Sequence, residues 1–123
     1  MARARSSFES GSTAWLLQRV TAVVLLVVLA FHFILLHFLN HAADVTLWAT
    51  GVRMDQLSYF LVMLLFLVAG AYHGLNGIYN ALLNWGLSGR ARRVTFWVFV
   101  VLGVLLVGQG TRVAIAMAGV VGP

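Results

Sequence analysis

The chain has 123 residues, of which 62% are hydrophobic and only 9% charged, whereas soluble domains are about 25% charged, so it is predicted to be an integral membrane protein. The net charge of +5 would suit a nucleic-acid partner, but the arginines lie at the ends of apolar runs, so no nucleic acid is expected. The absence of cysteine excludes disulfides, thiolate metal sites, covalently attached haem and cysteine-ligated iron–sulfur clusters in this chain.

The chain divides into a short polar segment and one membrane domain. Residues 1–13 are polar and basic, and we interpret them as a cytoplasmic N-terminal segment. Residues 14–123 form a single transmembrane domain. A helix needs about 20 apolar residues to cross a bilayer, and three stretches qualify, at about 14–38, 57–83 and 94–118. The first is too long for a cleaved signal peptide. The expected fold class is therefore an all-α integral membrane protein with three transmembrane helices.

The arginines predict the direction of the spans, because cytoplasmic loops are enriched in positive charge. Arginine is concentrated in the N-terminal segment and in the loop between the second and third spans, at Arg3, Arg5, Arg90, Arg92 and Arg93. The loop between the first and second spans is net negative. The N-terminus is therefore expected in the cytoplasm and the C-terminus outside, in a multi-pass protein of a bacterial or archaeal plasma membrane.

The second predicted span carries a stripe of polar and small residues at helical spacing: His73, Asn76, Gly77, Asn80 and Asn84. Helix packing explains the asparagines and the glycine, since small residues let helices approach and amides bond across the contact. His73 adds a second interpretation, because a neutral imidazole is a good axial ligand for haem iron. Gly77, one turn further on, would leave room for the haem. An interhelical hydrogen bond and a proton relay are the alternatives for His73.

Three more histidines lie towards the end of the first predicted span: His32, His37 and His41. His37 and His41 are four residues apart, so on a helix they would share a face and could bind a metal ion, although no third ligand accompanies them. His32 lies inside the span, at a different depth from His73. Two depths predict two cofactors stacked across the membrane, each with a second axial ligand from another chain.

Two stretches of the sequence resemble the small membrane-anchor subunit of succinate:quinone oxidoreductase, respiratory complex II. They are GSTAWLLQRVTAVVLL, with Gln18 and Arg19 near the membrane surface, and YHGLNGIYNALLNW, with a histidine followed four residues later by glycine. Three spans in a chain of this length also fit that family. The resemblance covers about Gly11 to Arg93, and the third span carries no distinctive motif.

The resemblance implies a subunit without catalytic activity of its own in a succinate dehydrogenase. Such a subunit would anchor a flavoprotein subunit and an iron–sulfur subunit and, with a second membrane-anchor subunit, form a larger helical bundle. The bundle would hold one or two b haems and a quinone site. Electrons would pass from the iron–sulfur subunit to membrane quinone, and two haems would favour menaquinone. Succinate oxidation itself would take place on the flavoprotein.

The resemblance also implies roles for particular residues. His73 would be an axial ligand of haem b, with Gly77 packed against the ring, and His32 is the expected ligand of a second haem, ahead of His37. Arg19 would lie near a haem propionate or the quinone pocket. Trp85 is a candidate for the quinone pocket.

Three positions either depart from the family pattern or have two interpretations. Trp85 and the preceding Asn84 stand where relatives usually carry Tyr and Asp, so this chain departs from the family pattern at the quinone site. An indole donates a hydrogen bond but cannot transfer a proton as a phenol can. Arg112, in the third span, either pairs with an outer haem propionate or extends to the membrane interface.

Two rival functions stay open on the sequence alone. One is a membrane interaction or assembly protein without haem, in which the asparagine stripe serves packing only. The other is the haem b anchor of a different respiratory dehydrogenase, such as a hydrogenase or formate dehydrogenase, although such anchors are usually longer. The visible absorbance of the purified protein separates the first rival from a haem protein.

Overall fold

A computed structural model describes residues 12–120, and these form four α-helices without a β-strand: α1 (Thr13–Ile34), α2 (Leu47–Asp55), α3 (Leu57–Asn84) and α4 (Gly89–Ala118). The predicted N-terminal segment, residues 1–13, lies almost entirely outside the described residues. Helices α1, α3 and α4 are long and apolar enough to cross a membrane. Even the shortest of the three, α1, spans about 33 Å at the α-helical rise per residue. The expectation of an all-α integral membrane protein is confirmed.

Local hydrogen bonds define both ends of the first membrane helix. The Ser12 hydroxyl accepts the Trp15 backbone N–H at 3.0 Å and so caps the start of α1. After Ile34 the helix widens into a π-helical turn, Leu35–Leu39. Asn40 ends this turn, because its backbone N–H and its side-chain amide both donate to the Leu35 carbonyl, at 3.0 and 2.8 Å. The chain therefore leaves the helix before His41.

The connection between the first two membrane helices contains α2, a short helix that the sequence analysis did not predict. The Thr46 hydroxyl caps it by accepting the Ala49 N–H at 3.1 Å. Gly51 and Met54 are buried, and α2 packs against both α3 and α4. The connection is thus folded back onto the ends of the membrane helices.

Helix α3 lies between the other two membrane helices, since both α1 and α4 pack against it. Gly110 lets α4 approach closely, because a Cβ atom there would lie 2.6 Å from the Leu67 side chain. Few apolar side chains are buried, and those among the described residues are Val28, Met54 and Ala69. Most large apolar side chains face outward, as expected for a chain surrounded by lipid and other subunits.

Candidate functional site

The crossing of α1 and α3 contains a connected group of polar side chains, which we name the α1–α3 polar cluster: Gln18, Thr21, His73, Asn76 and Asn80. The two α1 residues are three apart in sequence and therefore lie on one helix face. The three α3 residues belong to the stripe singled out in the sequence. The structure joins the two sets across the helix contact, so the polar groups satisfy each other within the apolar bundle.

Three amides form a ladder of hydrogen bonds along this contact. The Gln18 amide donates to the backbone carbonyl of His73 at 3.1 Å, and the Asn76 amide donates to the Gln18 side-chain oxygen at 2.6 Å. Asn80, only 1% exposed, donates to the Asn76 backbone carbonyl at 2.6 Å. Helix packing therefore accounts for Asn76 and Asn80, and this supports the packing interpretation for these two asparagines.

The imidazole of His73 has a defined partner for one ring nitrogen. Its Nδ1 lies 3.1 Å from the Thr21 hydroxyl oxygen and 3.2 Å from the Gln18 backbone carbonyl oxygen. The Thr21 hydroxyl itself donates to the Leu17 carbonyl at 2.7 Å, so its proton is already engaged. A carbonyl oxygen can only accept.

It follows that Nδ1 of His73 carries the proton and donates to these two oxygens. In the neutral ring Nε2 then carries the lone pair and can bind a metal. This is the usual arrangement of a metal-ligating histidine, whose second nitrogen donates to a carbonyl or another acceptor and so fixes the tautomer and the ring orientation.

The glycines around His73 have two different surroundings. A Cβ atom on Gly77 would lie 3.4 Å from the side-chain nitrogen of Gln18, so Gly77 leaves space for the Gln18 side chain at the α1–α3 contact. Gly74, next to His73 in sequence, is exposed and has nothing within 4 Å of its Cβ position. The open surface beside His73 is therefore at Gly74, while the space at Gly77 faces α1.

Arg19 and Trp85 do not join the α1–α3 polar cluster. The Arg19 guanidinium lies over the Trp15 indole ring, 4.0 Å from its centroid, in a cation–π contact at the exposed start of α1. Trp85 directly follows α3 and is 87% exposed. It lies 12 residues after His73, which is about 18 Å along a helix axis. Both side chains are free to contact another subunit or lipid.

The histidines of α1 are arranged differently from His73. His32 has a buried Nδ1 that finds no hydrogen-bond partner within the described part of the chain. His37 is exposed, donates from Nδ1 to the Phe33 carbonyl at 3.2 Å and stacks on the Phe33 ring at 4.5 Å. His37 and His41 do not share a helix face, because the helix ends between them. Residues 12–120 contain no group of three or more side chains arranged as a metal site.

A second feature lies on the other side of α3. An apolar groove of about 620 Å³, which we name the α3–α4 groove, runs between these helices from Tyr79 and Phe96 to Val107 and Gly108. The Arg92 guanidinium donates to the Tyr79 hydroxyl oxygen at 3.4 Å near one end. Tyr79 also makes edge contacts with the Phe96 and Phe99 rings.

The α1 residues that contact His73 were not predicted from the sequence. Gln18 and Thr21 were noted only within the resemblance, where Arg19 received the functional role. Their spacing of three residues on an apolar helix was the available signal, because it puts two hydrogen-bonding groups on one face. No sequence pattern paired that face with His73, since the contacts join residues 52 to 55 positions apart.

The structure has three long apolar helices and a polar cluster at the crossing of α1 and α3. This combination defines a multi-pass membrane subunit whose polar side chains bond to each other inside a helix contact. The family model of the succinate dehydrogenase/fumarate reductase transmembrane subunit matches residues 1–109, and the chain belongs to this family. It is thus a membrane subunit of a complex of that type, which includes catalytic partner subunits. Searches of curated proteins and of solved structures return no significant match. The resemblance seen in the sequence is confirmed at the level of the family.

Proposed function

We propose that this subunit binds a b-type haem through Nε2 of His73 and conducts electrons from an iron–sulfur subunit to membrane quinone. The observation that carries the proposal is the pair of oxygens at Nδ1 of His73, from Thr21 and Gln18. They hold the tautomer in which Nε2 can bind iron.

The haem would supply a one-electron carrier at its iron. The chain would supply one axial nitrogen, a fixed ring orientation and, at Gly74, open surface beside the ligand. No second histidine of the described residues joins His73, so the other axial ligand is assigned to the second membrane-anchor subunit.

His32 is the proposed ligand of a second haem, at a different depth. Its Nδ1 finds no acceptor within residues 12–120, so the second membrane-anchor subunit would have to supply one. Separate substitutions of His32 and His73 distinguish the two assignments.

For the quinone we propose a site at the end of the α3–α4 groove where Tyr79 meets Arg92. The Tyr79 hydroxyl accepts from Arg92 and keeps its own proton, which it can donate to a quinone carbonyl. The apolar groove beyond it extends about 18 Å along α4 and would take the isoprenoid tail. Trp85 and Arg19, the residues implied by the resemblance, are both exposed and would contact the site from outside this groove or face a haem propionate.

The proposed complex contains a flavoprotein subunit, an iron–sulfur subunit and a second membrane-anchor subunit, all around this chain in the lipid bilayer. Arg90, Arg92 and Arg93, which the sequence placed in a loop, lie in the first turns of α4, and they would face the cytoplasmic side and contact the hydrophilic subunits. The subunit would take no part in the chemistry of succinate, which belongs to the flavoprotein.

A reduced-minus-oxidised visible spectrum of the native complex, with pyridine haemochrome quantitation, tests the haem proposal. We expect at least one b haem per complex. A pure, active complex with no haem absorbance would contradict the proposal and favour a membrane interaction or assembly protein. An intact complex without flavoprotein, but with haem, would favour the anchor of a different dehydrogenase.

The quinone proposal has a separate test. Tyr79→Phe keeps the aromatic packing but removes the hydroxyl, so we expect quinone reduction by the complex to fall about a hundredfold. Thr95→Val, which removes a hydroxyl from α4 at a position outside the α3–α4 groove, is the control. Equal rates for both variants would exclude Tyr79 as the quinone donor.

A further inference from the structure

Arg53, in the last turn of α2, is a half-buried cation without a counter-charge. Its Nε atom is buried and has no hydrogen-bond acceptor among residues 12–120. No ion pair joins it to Asp44 or Asp55, the two carboxylates in this part of the chain. Burying a charge is unfavourable unless an opposite charge or a set of acceptors compensates it. An anion from outside the described residues would provide that compensation.

A pocket of about 400 Å³ lies directly at this guanidinium, where α1, α2 and α3 meet. Its walls are of two kinds. One is polar and consists of Asn40, Arg53, Gln56, Ser58 and Tyr59; the other is apolar and consists of Phe31, Leu35 and Val62. The Phe31 side chain is 45% exposed, so the apolar wall continues onto the lipid-facing surface of α1.

The two walls identify the chemistry of the ligand. Arginine binds phosphate and carboxylate groups through paired N–H donors, and the neighbouring amide and hydroxyl groups add further donors. The apolar wall would contact a hydrocarbon chain. A quinone fits the apolar wall but carries no charge, so it would leave Arg53 uncompensated. A free inorganic anion would compensate Arg53 but leave the apolar wall empty.

We propose that this pocket binds the phosphate of an anionic phospholipid from the leaflet that the topology places outside. The phosphate contacts Arg53 and the donors around it, and an acyl chain lies against Phe31, Leu35 and Val62. The lipid fills the corner between the α1 end and α2, and so holds the folded-back connection on the membrane helices. This site is independent of haem binding at His73.

Native mass spectrometry of the intact, delipidated complex tests the proposal, with dioleoyl phosphatidylglycerol added in steps and dioleoyl phosphatidylcholine as the zwitterionic comparison. We expect Arg53→Gln to weaken binding of the tightest phosphatidylglycerol about tenfold, because one charge-assisted contact is lost. Arg112→Gln is the matched control, since Arg112 is exposed near the same end of the bundle, and it should bind as the wild type does.

A second variant keeps the test valid if Arg53→Gln impairs assembly. Ser58→Phe, at an exposed position of the pocket wall, blocks the pocket and leaves the charge, and we expect the same loss of lipid. Three results would overturn the proposal. They are an equal effect of Arg112→Gln, full displacement of the lipid by inorganic phosphate, and loss of a haem in Arg53→Gln, which would assign Arg53 to a propionate.

Discussion

The surroundings of His73 and of His32 differ, although both histidines lie inside apolar membrane helices. At His73 the neighbouring helix provides a threonine hydroxyl and a backbone carbonyl to the same ring nitrogen. At His32 the corresponding nitrogen is buried without a partner among the described residues. This chain supplies both acceptors to the ring nitrogen of His73, whereas the ring nitrogen of His32 requires a partner from another molecule. One membrane subunit can therefore fix the orientation of one histidine ring by itself and leave the ring nitrogen of another for an assembly partner to satisfy.

The largest expected effect is on haem content. His73→Ala should remove one b haem per complex, because the axial nitrogen is lost. His32→Ala should leave that haem and its spectrum unchanged. Pyridine haemochrome of the two purified complexes measures the difference. If each variant loses one haem from a two-haem complex, the partner subunit completes the site at His32. If His32→Ala instead abolishes the His73 haem, the two histidine sites are not independent.

Removing one acceptor at His73 should have an intermediate effect. Thr21→Val keeps the shape but takes away the hydroxyl oxygen 3.1 Å from Nδ1, so we expect haem to bind about tenfold more weakly. Haem loss during titration with apomyoglobin measures this change. Thr50→Val, whose hydroxyl bonds only to the Thr46 carbonyl on α2, is the control and should lose haem at the wild-type rate. An identical rate for Thr21→Val would show that Gln18 alone orients the ring.

The amide ladder should affect stability more than haem chemistry. Gln18→Leu removes the bonds from Gln18 to His73 and Asn76, so the free energy of unfolding should fall by about 1 kcal/mol, a typical value for such contacts in membranes. Unfolding in mixed micelles provides the measurement. Gln109→Leu, at an exposed position of α4, should not destabilise the protein. A Gln18→Leu protein as stable as the wild type would mean that the amide ladder contributes only to the specificity of the α1–α3 contact.

The smallest effect is expected at His37. This side chain is exposed, and within residues 12–120 its hydrogen bond and its ring contact are both with Phe33. His37→Ala should therefore change stability by no more than about 0.5 kcal/mol and leave the haem content unchanged. A haem lost in this variant but not in His32→Ala would identify His37 as the outer ligand.

Much of the fold was predictable because it depends on composition. The stretches at 14–38, 57–83 and 94–118 coincide closely with the three membrane helices of the structure. Helix α2 was not predicted, since its nine residues are mildly amphipathic and it is held in place by contacts of Gly51 and Met54 with other helices. The π-helical end of α1 was missed for a similar reason. It depends on two hydrogen bonds that Asn40 makes to Leu35, and these separate His41 from His37.

The candidate site was predictable in part. His73 and its polar stripe stood out, because polar groups within an apolar run need partners. The surroundings of two glycines near His73 became visible only in the structure. Gly77 faces the Gln18 side chain, and Gly74 has the open surface. The partial burial of Arg53 was not predicted, since nothing in its sequence context indicates that the folded connection covers it.

The sequence by itself determined the membrane class, the number of spans, the family and the position of His73 in a polar stripe within an apolar helix. These depend on the transfer of apolar runs out of water and on residue spacing along single helices, both of which are local. The tertiary structure alone decided which nitrogen of His73 is held, which glycine is open and which arginine is left without a counter-charge. The first two properties arise at the α1–α3 contact, between residues that can be more than 50 positions apart, and the third arises where α1, α2 and α3 meet. The geometry of these contacts cannot be read from the sequence of any one helix.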